Sequence, residues 1–268
     1  MAVSSGDAYA RQIPLMIGCR MSKTRLDLLL VAKGLADSRT KAQGLIMAGL
    51  VYHGEQKLDK AGAEFVDDFE LSVRGKEHPW VSRGGMKLAK AIEHFNIDVK
   101  NAVAMDVGAS TGGFTDVLLT HGAAKVYAVD VGHGQLDVKL RGDARVVVME
   151  ETNARHLTAE MIPDTLDIIV CDASFISLTK VLPAALALAK PSAQLVTLIK
   201  PQFEVGKVEV SRGKGVIRDS ALHQKVCDDI SAWVSGLGWK VVGIATSPIT
   251  GPKGNVEFLL YATKEPSA

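Results

Sequence analysis

The sequence predicts an α/β fold: a mostly parallel sheet covered by helices on both faces, with a small α+β unit in front of it. Three observations carry that prediction. From residue 82 onward, apolar strand-like runs alternate with amphipathic helical ones, the pattern of repeated strand–helix units. A glycine-rich turn, Asp106-Val-Gly-Ala-Ser-Thr-Gly-Gly-Phe114, falls between the first of those strands and the helix after it. The last two strand-like runs have no helix between them, so they are expected to pair antiparallel at the end of the sheet.

The elements follow in order. Residues 1–22 mix small, polar and charged types and read as a disordered leader, with Met21 an alternative start. Residues 23–76 read as a separate module of about 55 residues, near the lower limit for independent folding. Thr24 is placed to cap a helix carrying Leu26, Leu29, Leu30 and Ala32, which stops at Gly34. Ser38 is placed to cap a second, carrying Ala42, Leu45, Ile46 and Ala48, which stops at Gly49. Short strands are expected at 50–52, 64–66 and 70–73, the first closed by a His53-Gly54 turn. Residues 77–82 form a linker in which Pro79 breaks any helix. Trp80 is open to two readings, a domain-docking anchor or local packing.

Residues 83–268 form the larger domain. Its helices are expected near 84–95, 113–121, 134–140, 177–189 and 219–236. Its strands are expected near 102–107, 125–130, 145–149, 166–171, 193–199, 239–247 and 255–263.

Composition narrows the function classes. At 268 residues, 47% hydrophobic and 23% charged, the chain is an ordinary globular protein with room for two unequal domains. A net charge of +1 means that any nucleic-acid affinity comes from charge distribution rather than the total. Cys19, Cys171 and Cys227 are few, odd in number and far apart, which argues against a disulfide framework or a metal site and fits a reducing cytoplasm. No apolar run reaches the roughly 20 residues that a membrane span needs, and the N-terminus is a poor secretory signal.

Ligands of an open parallel sheet sit outside the carboxyl ends of its strands. Polar residues just past apolar strands are therefore the candidates. Asp106 ends the first large-domain strand, Gly108 and Gly112 allow close backbone approach to a ligand, and Gly113 and Phe114 open the helix. Ser110 stands where a dinucleotide fingerprint has its middle glycine. A carboxylate at the mouth of this turn is unhelpful to a pyrophosphate and useful to an α-ammonium group. That favours S-adenosylmethionine over a nicotinamide cofactor. Asp130 ends the next strand about twenty residues on, where an acidic residue grips ribose hydroxyls. Asn153 is open to two readings, a hydrogen bond to an adenine edge or a plain turn residue.

Asp172 and Lys200 follow the very apolar runs 166–171 and 195–199. Charges there are costly unless paired, and a salt bridge between the two is the plain reading. Lys87, in Ser82-Arg-Gly-Gly-Met-Lys-Leu88, and Glu257, in Gly254-Asn-Val-Glu-Phe258, complete a constellation. Arg83 is a candidate phosphate contact beside Lys87.

Several of these patterns resemble known families. Thr24-Arg-Leu-Asp-Leu-Leu-Leu30, Ser38-Arg-Thr-Lys-Ala42 and Ile46-Met-Ala-Gly-Leu-Val51 resemble the S4 RNA-binding domain. That resemblance implies a two-helix face on structured RNA, with Arg25, Arg39 and Lys41 at the basic positions and contacts mainly to phosphates and 2′-hydroxyls. The parallel sheet with an antiparallel end resembles the Rossmann-like methyltransferases. The order Lys87, Asp172, Lys200, Glu257 is similar to the Lys-Asp-Lys-Glu tetrad of FtsJ-class RNA ribose 2′-O-methyltransferases. Together with Asp172-Ala-Ser-Phe-Ile-Ser177 and Lys200-Pro-Gln-Phe-Glu204, the chain after residue 22 resembles the TlyA (hemolysin A) family.

The TlyA resemblance implies methyl transfer from S-adenosylmethionine to the ribose 2′-hydroxyl of a cytidine in ribosomal RNA, within a ribosomal subunit. It implies a cytoplasmic protein with no membrane and no obligate protein partner. Lys200 is then the general base or hydroxyl orienter, and Asp172 positions Lys200 and sits near the sulfonium. Lys87 holds the ribose or its phosphate, and Glu257 orients Lys87 or the hydroxyl. The basic segment from Phe203 to Ile217 is either a mobile flap over bound RNA or an ordinary loop. Dual-specificity members of the family tend to carry an extra C-terminal helix. Here only Lys-Glu-Pro-Ser-Ala follows Thr263, so the expectation leans to the large subunit alone.

Three competing classes are weaker. The family's older name raises a membrane-lysing toxin, against which stand the missing spanning run and secretion signal. The intact tetrad argues against a non-catalytic RNA-binding or ribosome-assembly protein. Ser110 and Asp106 argue against a nicotinamide dehydrogenase.

Overall fold

The computed structural model describes residues 23–75 and 78–265. The leader expected at 1–22, with Cys19 and Met21, lies outside the described residues, as do 76, 77 and 266–268. The described residues fall into two compact units that part between residues 77 and 78.

The first unit runs β1 (Lys23–Arg25), α1 (Leu26–Ala32), α2 (Arg39–Met47), β2 (Val51–His53), β3 (Gln56–Lys57), β4 (Glu64–Val66) and β5 (Ser72–Val73). β1 pairs antiparallel with β4, while β2 sits between β3 and β5. Leu26 and Leu30 of α1 meet Ala42 and Ile46 of α2 and Val51 of β2 in a small core. Ser38 caps α2 as expected, its hydroxyl accepting from the Lys41 amide at 3.2 Å. Thr24 does not cap α1. It lies in β1, its hydroxyl donates to Asp67, and Arg25 precedes the helix with no side-chain cap. The Asp27 carboxylate takes the Leu28 amide instead.

The second unit opens with α3 (Gly84–Phe95) and alternates thereafter. β6 (Val103–Val107), α4 (Gly113–Thr120), β7 (Lys125–Val129), α5 (Val138–Arg141) and β8 (Val146–Met149) lead to a 3₁₀ turn at Ala154–His156. Then come β9 (Leu166–Cys171), α6 (Leu178–Val181), α7 (Pro183–Ala187), β10 (Ala189–Ile199), α8 (Pro201–Glu204), α9 (Lys207–Arg212), α10 (Ser220–Gly236), β11 (Trp239–Thr246) and β12 (Phe258–Lys264).

The seven strands lie in the order β11-β12-β10-β9-β6-β7-β8. All neighbours are parallel except those of β12, which runs antiparallel to both β10 and β11. The chain order reverses at β6, which places the crevice of the sheet at the carboxyl ends of β6, β7 and β9.

Strand alternation sorts the two faces. Ile168 and Val170 point to the core under α3 and α4, while Ile169 and Cys171 point to the core under α6, α7 and α10. Asp106 follows Met105 and so turns toward α4. The two described cysteines, Cys171 and Cys227, are free and buried. Burial pushes their thiols up to about 12 and about 11.

Several expected boundaries moved for local reasons. The helix expected at 134–140 is cut to four residues because the Glu150 carboxylate takes the amides of Gly134, Gln135 and Leu136. The helix expected at 177–189 breaks into α6 and α7 at Leu182, where Pro183 starts the second piece at its first helical position. The segment read as a loop after Lys200 contains α8 and α9. Residues 78–82 belong to the second unit, where the Val81 amide donates to Asp116 Oδ2 at 2.9 Å and Trp80 lies against His121.

Candidate active site

Four strand and helix ends bring two lysines and two acids together. Lys87 comes from α3, Asp172 from the residue after β9, Lys200 from the residue after β10, and Glu257 from the residue before β12. Lys87 Nζ lies 2.8 Å from Glu257 Oε2 and 3.1 Å from Asp172 Oδ2. Lys200 Nζ lies 2.6 Å from Asp172 Oδ1. Asp172 is thus shared by both ammonium groups, and the four form a chain Glu257–Lys87–Asp172–Lys200. Lys87, Lys200 and Glu257 are buried, with Asp172 half-buried at the mouth.

Two positive and two negative charges cancel, which is how such a cluster tolerates low exposure. The salt bridge read between Asp172 and Lys200 is therefore present, but as one link of four. Oε2 of Glu257 has ion-pair contact with Lys87 without the alignment of a hydrogen bond.

The glycine turn lies at the end of β6. Ser110, at φ +48°, donates its hydroxyl to Gln135 Oε1. Gly112, at φ +91°, is the residue before α4. At these glycines an added Cβ would meet the protein itself. A Cβ at Gly112 would overlap Leu140 and Leu136, and one at Gly113 would overlap the Ser82 hydroxyl and the Gly85 backbone. At Gly108 the neighbour is Ala173, 3.0 Å away, in the loop after Asp172. The glycines therefore lock the turn against α5, the start of α3 and the Asp172 loop.

Asp106 is not at the mouth of the turn but fully buried. Its Oδ2 accepts from the Thr115 amide at 2.9 Å and the Thr115 hydroxyl at 2.8 Å, tying β6 to the first turn of α4. Its Oδ1 is buried with no hydrogen-bond partner. Burial pushes this carboxyl up to about 7 against the pull of Thr115.

Asp130 bridges the two loops of the crevice, Oδ2 accepting from the Ser110 amide at 2.8 Å and Oδ1 from the Gly132 amide at 2.7 Å. The Phe114 side chain is packed in the core. Asn153 Oδ1 caps the 3₁₀ turn, accepting from the Arg155 amide.

In the first unit, Asp27 is fully buried and receives Arg25 Nε and Nη2, Arg39 Nε and Gln43 Nε2. Those donors hold its carboxyl well below the usual carboxylate range, the Arg25 hydrogen bond being the largest cause. Arg25 and Arg39 remain about half exposed, and Lys41 is exposed on α2. Arg83, in the second unit, is exposed one turn before Lys87.

Sequence reasoning missed three residues. Ser174 Oγ accepts from Lys200 Nζ at 2.9 Å. Phe175, next in the chain, is 90% exposed at φ +65° and lies 5.1 Å from the Phe203 ring. A bulky residue in the left-handed region is an outlier held by its surroundings, and such strain gathers at functional sites. Glu204 accepts from the Ser177 hydroxyl and the Leu178 amide, joining the loop after Lys200 to the loop after Asp172. The Asp-x-Ser-Phe-Ile-Ser pattern held two of these three, but without a partner in view neither carried a role.

Among the described residues, no group of three or more His, Cys, Asp or Glu side chains is gathered to hold a metal ion. Among the same residues, no helix is long and apolar enough to cross a membrane.

Known proteins share this arrangement of domains. The FtsJ-like methyltransferase family model matches residues 80–264, and the S4 domain model matches residues 24–64. The 16S/23S rRNA (cytidine-2′-O)-methyltransferase TlyA of Mycobacterium tuberculosis is 48% identical over 240 residues, 89% of this chain and 89% of that one. The 23S rRNA (cytidine-2′-O)-methyltransferase TlyA of Campylobacter jejuni is 37% identical over 185 residues, 69% of this chain and 71% of that one. A solved structure from Streptococcus thermophilus, described as a hemolysin candidate, aligns with a TM-score of 0.72 at 42% identity, covering 92% of this chain and 90% of that one.

Proposed function

The chain belongs to the FtsJ-like methyltransferase family and, with its S4 domain, to the TlyA family, and from that premise we propose that it methylates the ribose 2′-hydroxyl of a cytidine in 23S ribosomal RNA. The observation that carries the reading is the Glu257–Lys87–Asp172–Lys200 chain at the mouth of the crevice. Both TlyA relatives carry 23S rRNA in their names, and that shared acceptor is the one proposed here. A ribosomal substrate places the work in the cytoplasm and needs no membrane.

S-adenosylmethionine is the methyl donor and supplies, when bound, an electrophilic methyl group on a sulfonium. The crevice residues fit it. The unpartnered Asp106 Oδ1 suits its ammonium group. Asp130 keeps a second lone pair on each oxygen for ribose hydroxyls. Val131, 72% exposed beside Asp130, offers apolar surface to the adenine.

The remaining work falls to the tetrad. A ribose hydroxyl is a weak nucleophile until its proton leaves, and Lys200 is the group assigned to receive it. Asp172 fixes the Lys200 amine and puts negative charge beside the donor's cationic end. Lys87, held by Glu257, faces the acceptor ribose and its phosphate. Exposed Phe175 offers a ring face to the acceptor base, and Arg83 a phosphate contact. Alignment of oxygen, methyl carbon and sulfur supplies the rest of the rate. In the first unit, Arg25, Arg39 and Lys41 hold structured RNA through its phosphates.

The test is incubation with unmodified large subunits and S-adenosylmethionine, followed by nucleoside analysis of the 23S RNA. The expected product is 2′-O-methylcytidine. A methyl group on a base, or none, refutes the proposal.

A further inference from the structure

Lys200 Nζ donates to the Asp172 carbonyl oxygen at 3.0 Å and to Ser174 Oγ at 2.9 Å. Its 2.6 Å contact with Asp172 Oδ1 is an ion pair without the alignment of a hydrogen bond. The side chain is 5% exposed, whereas Ser174 is exposed. A hydroxyl arriving from solvent therefore meets Ser174 before it meets Lys200.

The three partners are not equivalent. A carbonyl can only accept a hydrogen bond, so that of Asp172 always faces an N–H group of the amine. A serine hydroxyl can accept or donate. When Lys200 carries two protons, one stays on the Asp172 carbonyl and the nitrogen lone pair can face Ser174. The Ser174 hydroxyl then turns and donates to it. Lys87 has no such arrangement, since its charged partners are both carboxylates.

We propose that Ser174 is a catalytic residue, the proton relay between the acceptor ribose 2′-hydroxyl and Lys200. This rests on the 2′-O-methyl transfer proposed above. As the ribose oxygen forms its bond to the methyl carbon, the S–CH3 bond breaks and sulfur keeps its electron pair. The 2′-O–H bond breaks in the same step and its proton passes to Ser174 Oγ. The proton already on Ser174 passes to Lys200 Nζ, which enters the step as the neutral amine, its proton given up to solvent, and leaves it as an ammonium ion. Serine ends as it began, and the Lys200 ammonium ion releases its proton to solvent before the next turnover.

The test compares Ser174→Ala, Ser174→Thr and Lys200→Ala with the unaltered full-length protein. Single-turnover methyl transfer to large subunits is measured in H2O–D2O mixtures, and S-adenosylmethionine and RNA affinities are measured separately. For Ser174→Ala the transfer rate is expected to fall about 100-fold, within the range of one general acid–base group. Both affinities are expected to hold. Ser174→Thr restores the hydroxyl and is expected within a few-fold of the unaltered rate. The isotope inventory is expected to be curved with the hydroxyl present, reporting two protons in flight.

A Ser174→Ala rate equal to or above the unaltered rate overturns the relay, since it means that the ribose reaches Lys200 directly once the hydroxyl is removed. Affinity loss in step with the rate also overturns it, by assigning Ser174 to binding. If the unaltered protein makes no 2′-O-methylcytidine, or Lys200→Ala keeps full activity, the methyl-transfer reading itself fails, and the relay fails with it.

Discussion

Asp106 and Gly112 show how much of this site is set by single atoms. Asp106 is ordinary in sequence, a carboxylate after an apolar strand, and its role as a polar residue at a strand end was legible there. Its depth was not, because strand alternation and the Thr115 contacts are tertiary facts. The buried carboxyl titrates near 7 in the folded protein, above its unfolded value, so the folded state holds the extra proton between about pH 4 and pH 7. Stability therefore falls as pH rises through that window. Asp106→Asn removes this part of the slope, which urea midpoints at pH 4.5 and pH 7.5 will show as a smaller difference than in the unaltered protein. At Gly112 a methyl group meets both a left-handed backbone and the Leu140 and Leu136 side chains. Gly112→Ala is expected to cost about 3 kcal/mol, the sum of αL strain and overpacking, read as a lower melting temperature. The sequence marked this glycine for a ligand's approach; the fold adds a second need for it, the close packing of Leu136 and Leu140.

Elements were most legible where one local signal dominated. β9 was expected at 166–171 and runs over Leu166–Cys171, because a strongly apolar segment, broken only by Asp167 at its start, admits few alternatives. The charges ending β9 and β10 gave two members of the tetrad for the same reason. Elements shaped by distant partners were not legible. The amides of residues 134–136 go to Glu150, which is 14 to 16 residues away, and helix pattern there says nothing of that competitor. The segment after Lys200 is similar. Buried Asn255 accepts from the Ile217 amide and donates to the Gly215 carbonyl, closing the end of a stretch whose start is held by Glu204. Asn255→Ala leaves those two backbone groups without partners, at a cost of about 2 kcal/mol. The variant is expected to exchange amide hydrogens faster across 205–217 while α10 keeps its protection. Equal exchange in the two proteins would remove Asn255 as the anchor.

At the scale of the whole chain, a near-neutral total charge conceals an organised distribution. In the first unit a buried carboxylate holds two half-exposed arginines, so that their remaining N–H groups face outward in fixed positions. Asp27→Ala is expected to destabilise that unit by about 2 kcal/mol, less than a fully buried ion pair because the guanidinium groups lie partly in water. RNA affinity should fall with it, and Lys41→Ala should lower the slope of affinity against salt by about 1 without changing the site of methylation. In the second unit the four charges of the tetrad cancel. The central claim is that this neutral cluster transfers a methyl group to ribosomal RNA. It is tested most directly by offering labelled S-adenosylmethionine to separated, unmodified ribosomal subunits, with Lys200→Ala in parallel. The account predicts label on the 23S RNA of the large subunit, and none from a Lys200→Ala protein that is folded and still binds S-adenosylmethionine. Label from Lys200→Ala at the unaltered rate, or no label on the large subunit from the unaltered protein, would contradict it.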